Sequence, residues 1–331
     1  MFGGSSDERL VSVASAQNLS ANFEFDERWF VTELGRVIKV TTQELAAHQN
    51  PFKNAFAPAT SPFASSIAQA IGTLKNETVF LGFHGTEGED GKIQALLERA
   101  KIPFTGSGSV SSHNSFDKTI AKKAVGAEGI TMAAQLLING GDAPDALTSF
   151  YKTHGKIVVK PVANGSSFGL HIVSDDKTLA AALVDIRRTH GASFLAEKFV
   201  KGRELTITVI DKNGESIALP PSEVVLNEGH SFDYDGKYLG KGTTEITPAD
   251  LTEAEKARAQ HLAVQAHKIL KCYGYSRTDA ILTSNGITYL ETNSLPGLTR
   301  ASFVPQQLKV AGLSMTEFIE LQLNAAQKRY S

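Results

Sequence analysis

Residues 277–293, RTDAILTSNGITYLETN, restrict the fold more than any other stretch of the chain. Two apolar runs flank an Asn-Gly pair, which is a strong signal for a tight turn between antiparallel strands. Residues two apart on a strand share a face, so Glu291 and Asn293 point the same way, and strand pairing brings Asp279 close to both. Three oxygen-bearing side chains suit a hard cation such as Mg²⁺. Polar residues facing water at a strand end would give the same pattern, so both interpretations stand at this point.

The remainder of the chain shows two different patterns of apolar segments. The apolar run ETVFLGFHG (77–85) predicts a buried parallel strand, and GKIQALLERAKI (91–102) has the spacing of an amphipathic helix. This alternation is typical of an α/β domain. From Lys156 onward, short apolar segments such as KIVVKPV and RELTITVI follow one another with little helix between most of them, which indicates a more antiparallel region. The predicted fold class is therefore α/β and α+β.

Capping signals predict a long helix in the C-terminal third of the chain. Thr252 and Glu255 have the spacing of a capping box, and Gly274 is the expected C-cap. The segment SMTEFIELQLNAAQKRY predicts a second, amphipathic helix at the end of the sequence. The Ala-, Ser- and Pro-rich stretch 50–66 is expected to be an irregular surface segment.

Composition argues against several classes of protein. The chain has 33 Lys and Arg against 35 Asp and Glu, so it lacks the basic footprint of a nucleic-acid-binding protein. No apolar run approaches the length of a membrane span, and we see no signal peptide. The single cysteine, Cys272, excludes an intrachain disulfide, which agrees with a reducing compartment. We therefore expect a cytoplasmic protein without nucleic-acid or membrane partners.

The first residues are unusual. Gly3 and Gly4 resemble a turn between a strand and a helix, yet only Met1 and Phe2 precede them. We therefore expect the first strand to be missing from this sequence, or translation to start further upstream.

A lysine and a loop of small residues suggest a site for an anion. The segment VVKPVANGSSFGL (158–170) places Lys160 at a strand end, followed by a Gly-Ser loop whose backbone N–H groups can close over phosphate. A second lysine, Lys118, lies in SFDKTIAKK. A solvated lysine and a plain hairpin are the simpler interpretations of these two segments.

The segment AEKFVKGRE (196–204) has the composition of a nucleotide pocket. Glu197 and Glu204 surround the apolar pair Phe199 and Val200, which suits an adenine ring beside ribose hydroxyls. The plainer alternative is two exposed acids on a strand. In the same way, His84 after its apolar run can be a hydrogen-bonded core histidine.

Taken together and in this order, the segments resemble the D-alanine–D-alanine ligase family of the ATP-grasp superfamily. Eight colinear blocks carry the resemblance, namely FGGSSDERLVSV, FHGTEGEDGKIQALLERAKIPFTGSG, DKTIAKK, VVKPVANGSSFGL, AEKFVKGRELT, FDYDGKYL, RTDAIL and ETNSLPGLTRASFVPQQLKVAG. Residues 16–76 match poorly. The resemblance implies an ATP-grasp fold with an N-terminal Rossmann-like α/β domain (1–106), a central domain (107–196) and a C-terminal domain (197–331).

The resemblance also implies a reaction in two steps. A D-alanine carboxylate attacks the γ-phosphate of ATP to form an acyl phosphate, and the amine of a second D-alanine displaces phosphate to give the dipeptide for peptidoglycan precursors. ATP is held between the last two domains. Mg²⁺ or Mn²⁺, usually as two ions, neutralises charge on the phosphoryl group. The family expectation for assembly is a homodimer.

Roles for the nucleotide and the metal follow from the same resemblance. Lys118 and Lys160 are expected to contact the ATP phosphates as point charges. The expected nucleotide-binding residues are Lys118, Lys160, Glu197, Phe199, Val200, Glu204 and Lys237. The expected metal ligands are Asp279, Glu291 and Asn293.

Substrate roles are implied as well. Glu8 should face the first D-alanine's ammonium, and Arg277 with the Gly297 N–H should stabilise the tetrahedral intermediate. The whole implied substrate set is Glu8, Ser166, Tyr238, Arg277, Gly297 and Ser302, with Lys237 and Ser302 on the second substrate's carboxylate and Ser166 and Tyr238 in a hydrogen-bond chain with Glu8. Segment 222–247 should form a mobile loop that closes over the site and excludes water.

Two departures from the family pattern leave the second substrate open. Asn164 replaces an acid in the Gly-Ser loop, and Arg300-Ala301 replaces Ser-His before Ser302. The alternatives are a related ligase that takes D-lactate, D-serine or another amino acid second, or a nucleotide-binding protein without ligase activity. Tyr238 argues for an amine acceptor, because D-lactate ligases lack this tyrosine in the resembling family.

Overall fold

A computed structural model describes residues 1–139, 143–163, 169–189, 192–226 and 243–330. This part of the chain contains three β-sheets. The first sheet has the order β1-β2-β3, with β1 (Phe2–Gly3), β2 (Arg28–Val31) and β3 (Val37–Val40). The second has the order β4-β7-β5-β6, with β4 (Gln135–Asn139), β5 (Ile157–Pro161), β6 (His171–Val173) and β7 (Ser193–Lys198). The third has the order β11-β10-β8-β12-β13, with β9 also on β8, and comprises β8 (Arg203–Lys212), β9 (Glu215–Ala218), β10 (Ser222–Leu226), β11 (Thr243–Ile246), β12 (Tyr275–Thr283) and β13 (Gly286–Asn293).

Helices cover these sheets and connect them. Those of the N-terminal half are α1 (Arg9–Asn22), α2 (Thr42–Ala47), α3 (Ile67–Ile71), α4 (Thr86–Glu89), α5 (Lys92–Ala100), α6 (Ser109–Phe116), α7 (Lys118–Ala127) and α8 (Ala143–His154). The C-terminal half contributes α9 (Asp176–Arg188), α10 (Glu253–Ile269), α11 (Phe303–Val310) and α12 (Met315–Tyr330). No helix in the part of the chain that the structure describes is long and apolar enough to cross a membrane. The mixed α/β architecture agrees with the predicted fold class.

The hairpin of β12 and β13 forms as the Asn-Gly turn predicts. The two strands are antiparallel, and Asp279 lies opposite Glu291 while Arg277 lies opposite Asn293. On the rear face of the sheet, Leu205, Ile207 and Leu282 pack with α10 in one buried cluster. The polar residues of the hairpin are therefore left on the other face, which is where the candidate site lies.

Two predicted elements differ in detail, and a third is as expected. The expected strand at 77–85 is reduced to a bridge of Val79 with Phe104, although Phe80, Leu81 and Phe83 are buried as predicted. A first strand is present but short, since β1 has two residues, paired in parallel with β2. The segment 50–66 is irregular, as expected.

The capping box of α10 is confirmed, but its C-terminus was placed wrongly. The helix ends at Ile269, and its C-cap is Leu270. Gly274 lies beyond the helix and has a positive φ of 76°, in the left-handed region that favours glycine.

Of the two proposed domain boundaries, one lies between two sheets and the other lies within a strand. A boundary after residue 106 separates the first sheet from the second, whereas the boundary between 196 and 197 falls inside β7. Buried side chains of the N-terminal part, such as Phe104, also share one hydrophobic cluster with Tyr275 and Phe318. The three-domain division therefore remains a proposal. Because β7 ends at Lys198, we propose the boundary between the central and C-terminal domains after this residue.

Candidate active site

One polar face of the third sheet carries the three predicted metal ligands together with Arg277. Across β8, β12 and β13, Thr206, Asp279 and Glu291 lie in one row, because Asp279 pairs with both neighbours. Arg277 and Asn293 lie in the next row on the same face, two residues along each strand. The hairpin thus brings the three predicted metal ligands together, as the sequence predicted.

Asp279 is held by a tight set of donors. Arg277 grips it at both oxygens, with Nε 3.0 Å from Oδ1 and Nη2 2.9 Å from Oδ2. The hydroxyl of Thr206 also donates to Oδ1. Both carboxylate oxygens are therefore already engaged by this bidentate pair.

The other two oxygen donors lie beside this pair. Glu291 approaches Lys118, with Nζ 3.6 Å from Oε2, and Oδ1 of Asn293 accepts a hydrogen bond from the Leu295 N–H at 2.8 Å. Two carboxylates and an amide are the oxygen ligands that Mg²⁺ prefers, so the donor chemistry fits this ion. Nevertheless, among the residues that the structure describes, no group of three or more Asp, Glu, His or Cys side chains is arranged to hold a metal. The proposed set has only two acidic side chains, Asp279 and Glu291, and its third oxygen ligand is the amide of Asn293.

A buried ion cluster links the predicted phosphate lysines to the second sheet. Lys122 and Lys160 each place Nζ 2.7 Å from a different oxygen of Glu197. The side chain of Lys122 is only 1% exposed and that of Lys160 is 12% exposed, so only Lys160 reaches the cleft. Lys118, the first residue of α7, stands one helical turn before Lys122. The interpretation of Lys118 as a solvated lysine is wrong, since its side chain is 10% exposed.

Each charged group of this cluster shifts the pKa of its neighbours. Burial alone would raise the pKa of Glu197, but attraction to Lys160 and Lys122 outweighs burial and holds that pKa below its ordinary value. Burial alone would lower the pKa of Lys160, but Glu197 and Glu291 outweigh it and raise the pKa. For Lys122, burial prevails and lowers the pKa. Lys160 therefore stays a cation facing the cleft, which suits a phosphate.

The two residues predicted to form the adenine wall, Phe199 and Val200, follow directly after β7, the strand that carries Glu197. Phe199 is half-buried, its N–H donates to the carbonyl of Lys156 at 2.9 Å, and Nζ of Lys156 lies 4.0 Å from the ring centroid. Val200 is also half-buried. Glu204 is half-buried on β8, two residues before Thr206 and on the same face.

Two acidic side chains meet at the N-terminal edge of the site. Glu8 precedes α1 and is 6% exposed, and a Cβ on Gly85 would lie 3.1 Å from its Oε2. Glu89 accepts a hydrogen bond from the Gly85 N–H at 2.9 Å. Burial, and then the charge of Glu8, raise the pKa of Glu89 to about 8 despite the attraction of Arg277 and Lys118. With this pKa Glu89 is mostly protonated near pH 7, so Glu8 and Glu89 together offer one carboxylate and one carboxyl group to the ammonium group of an amino acid.

The loop after β13 carries the last predicted residues. Oγ of Ser302 accepts from the Thr299 N–H at 3.1 Å and lies 2.8 Å from Oγ1 of Thr299 at the start of α11. A Cβ on Gly297 would lie 2.8 Å from Oγ of Ser302, so these two residues are in close contact. Gly297 is half-buried.

Three predicted residues lie outside the described part of the chain, namely Ser166, Lys237 and Tyr238. The Gly-Ser loop from 164 to 168 and most of the expected closing segment are outside it as well. The ends of that segment are not a loop, because Ser222–Leu226 and Thr243–Ile246 are paired antiparallel strands. Residues 222–226 and 243–246 therefore belong to the third sheet.

The sequence analysis missed two charged residues of this region. Lys122 follows Lys118 at the i+4 position of the same helix, so its position facing the same way was available from spacing. Glu89 lies in FHGTEGEDG, a block that the resemblance includes, but nothing in its spacing showed that the side chain would be buried. The plainer interpretation of His84 holds, since its Nε2 lies 2.7 Å from Oγ of Ser15 and its Nδ1 lies 3.3 Å from the Leu295 carbonyl oxygen.

Comparisons with known proteins point to one family. Family models described as D-ala D-ala ligase N-terminus and C-terminus match residues 1–107 and 150–323. A D-alanine--D-alanine ligase of Leptospira interrogans is 37% identical over 275 residues, which cover 81% of this chain and 78% of the relative. Among solved structures, VanG D-Ala:D-Ser ligase from Enterococcus faecalis superposes with a TM-score of 0.82 at 28% identity, covering 100% of this chain and 98% of the other. The D-alanine-D-alanine ligase from Coxiella burnetii also gives 0.82, at 26% identity, covering 99% and 93%. The chain therefore belongs to the D-alanine–D-alanine ligase family and has its ATP-grasp fold.

Proposed function

We propose that this enzyme joins two D-alanine molecules at the expense of ATP and supplies D-alanyl-D-alanine for peptidoglycan precursors. The observation that carries the proposal is the contact between Lys118 and Glu291, at 3.6 Å. It supports the proposal because Lys118, the expected cation for the phosphates, lies beside Glu291, the expected carboxylate for the metal. ATP phosphates, a metal and a substrate carboxylate can therefore meet at one place on the sheet.

The cleft lysines hold the phosphates of ATP. Lys160 is kept charged by Glu197 and reaches the cleft, while Lys118 approaches from the start of α7. Both act as point charges, because an ammonium group accepts no hydrogen bond and has no fixed direction. Glu204 and the Phe199 region contribute the nucleoside side of the pocket.

The hairpin residues would hold Mg²⁺ or Mn²⁺. Asp279, Glu291 and Asn293 provide the oxygen ligands, and a bound ion would offset the charge that develops on the phosphoryl group. Arg277 must exchange part of its bond with Asp279 for contact with the substrate when the site is loaded. The number of ions, two in this proposal, follows from family resemblance.

The two substrates occupy opposite sides of Arg277. The first D-alanine places its ammonium at Glu8 and Glu89, and its carboxylate oxygen attacks the γ-phosphorus as the bond to ADP breaks. The amine of the second D-alanine then attacks the acyl carbon, and phosphate leaves with the bridging oxygen. Arg277 and the Gly297 N–H stabilise the oxyanion, and Ser302 binds the second carboxylate.

Residues outside the described region complete this proposal. Ser166 and Tyr238 are expected to close the hydrogen-bond chain with Glu8. Lys237 is expected to bind the second substrate's carboxylate with Ser302, and the segment that carries it to shield the acyl phosphate from water. A cytoplasmic location and a homodimer are further parts of the proposal. The cytoplasm supplies ATP, and the homodimer follows from family resemblance.

The direct test is product formation by the purified chain. With ATP, Mg²⁺ and D-alanine we expect ADP and D-alanyl-D-alanine in equal amounts, identified by mass spectrometry. L-alanine serves as the control substrate and should give neither. Addition of D-serine and D-lactate in competition identifies the acceptor, and a predominant D-alanyl-D-serine or depsipeptide product would contradict the assignment of D-alanine as second substrate. ADP release that does not depend on a D-amino acid would contradict the ligase assignment altogether.

A further inference from the structure

The loop that carries Gly297 is fastened to the N-terminal part of the chain by three buried side chains. Nδ2 of Asn18 donates to the Leu298 carbonyl oxygen at 2.8 Å. The Leu298 N–H donates to Oγ of Ser15 at 3.3 Å. Nδ1 of His84 lies 3.3 Å from the Leu295 carbonyl oxygen, and its Nε2 lies 2.7 Å from Oγ of Ser15. The contacts close a ring from the loop through Ser15 and His84 back to the loop.

The direction of every hydrogen bond in this ring follows from its chemistry. The carbonyl oxygen of Leu295 can only accept, so Nδ1 of His84 must carry the proton. Burial lowers the pKa of His84 to about 4, so the imidazole of His84 is neutral near pH 7 and its Nε2 accepts a hydrogen bond. The Ser15 hydroxyl therefore donates to Nε2 and accepts from the Leu298 N–H. One arrangement of protons satisfies all three groups.

The ring fixes the backbone on both sides of Gly297. Leu295 is held through its carbonyl, and Leu298 is held through both its N–H and its carbonyl. Gly297 itself is half-buried at the cleft. Stabilisation of an oxyanion by a backbone N–H depends on its position within a fraction of an ångström.

We propose that Ser15, Asn18 and His84 are positioning residues that set the location of the Gly297 N–H in the active site. The proposal rests on the proposed function, because that function gives the Gly297 N–H its role as an oxyanion donor. None of the three side chains has to touch substrate. Their effect on the reaction passes through the 295–298 backbone alone.

The test compares Ser15→Ala with a matched substitution, Ser12→Ala. Both serines are fully buried on α1. The Ser12 hydroxyl also accepts one hydrogen bond, from the Gly3 N–H at 2.7 Å, and donates one, to the Gly82 carbonyl at 2.6 Å, but none to the 295–298 loop. We expect Ser15→Ala to lower kcat at least about tenfold relative to Ser12→Ala, with KM for ATP within about twofold of wild type. Equal kcat in the two variants would overturn the proposal.

Hydrogen exchange gives a readout that does not depend on activity. The amide of Leu298, followed by mass spectrometry in a peptide that spans the loop, should exchange at least about tenfold faster in Ser15→Ala and at the wild-type rate in Ser12→Ala. Unchanged exchange in Ser15→Ala would overturn the proposal by itself. A wild-type chain that makes no dipeptide would instead refute the proposed function, and the exchange rates would still decide whether Ser15 holds the loop.

Discussion

The ion cluster of Lys122, Glu197 and Lys160 gives a quantitative prediction about stability. Glu197 is 4% exposed, and each of its oxygens lies 2.7 Å from a different ammonium group. Replacement by glutamine keeps the shape but removes the charge that separates the two lysines. At an assumed separation of about 6 Å and an effective dielectric constant of about 20, the repulsion between them is about 3 kcal/mol. With the ion pairs lost as well, we expect Glu197→Gln to lower the free energy of unfolding by about 3–5 kcal/mol.

Removal of Lys122 should cost less than removal of its partner. In Lys122→Met, Glu197 keeps Lys160, and methionine fills the volume without a charge to bury. We expect a loss of about 2 kcal/mol in the free energy of unfolding. In the double variant only Lys160 remains, and it can turn to the cleft without a second cation beside it. The two substitutions should therefore be non-additive, with a coupling energy of at least about 1.5 kcal/mol.

Urea unfolding of the four chains at pH 7 measures this coupling. Lys123→Met is the matched control, because Lys123 follows Lys122 on the same helix but is exposed, and its replacement should change stability by less than about 0.5 kcal/mol. A coupling energy below about 0.5 kcal/mol would refute the electrostatic account of the cluster.

Three further predictions concern the metal, the nucleotide and pH. Glu291→Ala should lower turnover at least about a hundredfold, because a metal that neutralises phosphoryl charge supplies several kcal/mol, and near-normal rates at low Mg²⁺ would contradict its role as a ligand. Lys160→Ala should raise KM for ATP at least about tenfold while KM for D-alanine changes by less than about threefold, and steady-state kinetics with each substrate varied would expose equal changes in both. His84 has a folded pKa of about 4 against 6.5 in the unfolded chain, so the unfolded state binds more protons between these values and stability is lost as pH falls from 6.5 to 4. The loss should be about 3 kcal/mol in urea unfolding, and His84→Asn should show a flatter profile, whereas parallel profiles would contradict the buried neutral state.

The β12–β13 hairpin was predictable from the sequence because its signals are local. The Asn-Gly turn fixes the register, and the register places Asp279 opposite Glu291. The grip of Arg277 on Asp279 was not predictable in the same way. Residues two apart on a strand share a face, but this does not show that they bind each other. The Thr206 hydroxyl, which also donates to Asp279, comes from a residue 73 positions away in sequence.

The ion cluster shows a second limit of sequence reasoning. Lys160 and Glu197 were each selected as nucleotide ligands, and the structure places them on neighbouring strands β5 and β7, joined to each other. A strand pattern reports which face a side chain uses but not which strand lies beside it. Lys122 was missed for a related reason. It lies on α7, and only the tertiary fold brings it close to Glu197 on β7.

The run at 77–85 illustrates a third limit. Its apolar residues were correctly predicted to be buried, because a continuous apolar run is unfavourable in water. Whether such a run becomes a strand depends on neighbours that offer backbone groups along its length. Here the backbone contacts are spread over two neighbours: the Val79 N–H donates to the Pro103 carbonyl, and the Gly82 N–H donates to the Met1 carbonyl.

The central claim, that a D-alanine carboxylate is activated by ATP at the site formed by Lys118, Lys160 and the hairpin acids, is tested most directly by an isotope transfer. D-alanine labelled with ¹⁸O in both carboxylate oxygens is incubated with the wild-type chain, ATP and Mg²⁺, and the released phosphate is analysed by mass spectrometry. Attack of the carboxylate on the γ-phosphorus, followed by departure of phosphate from the acyl carbon, carries one labelled oxygen into each phosphate. The account predicts one ¹⁸O per phosphate, in proportion to the dipeptide formed. Unlabelled phosphate accompanied by dipeptide would contradict the acyl-phosphate route.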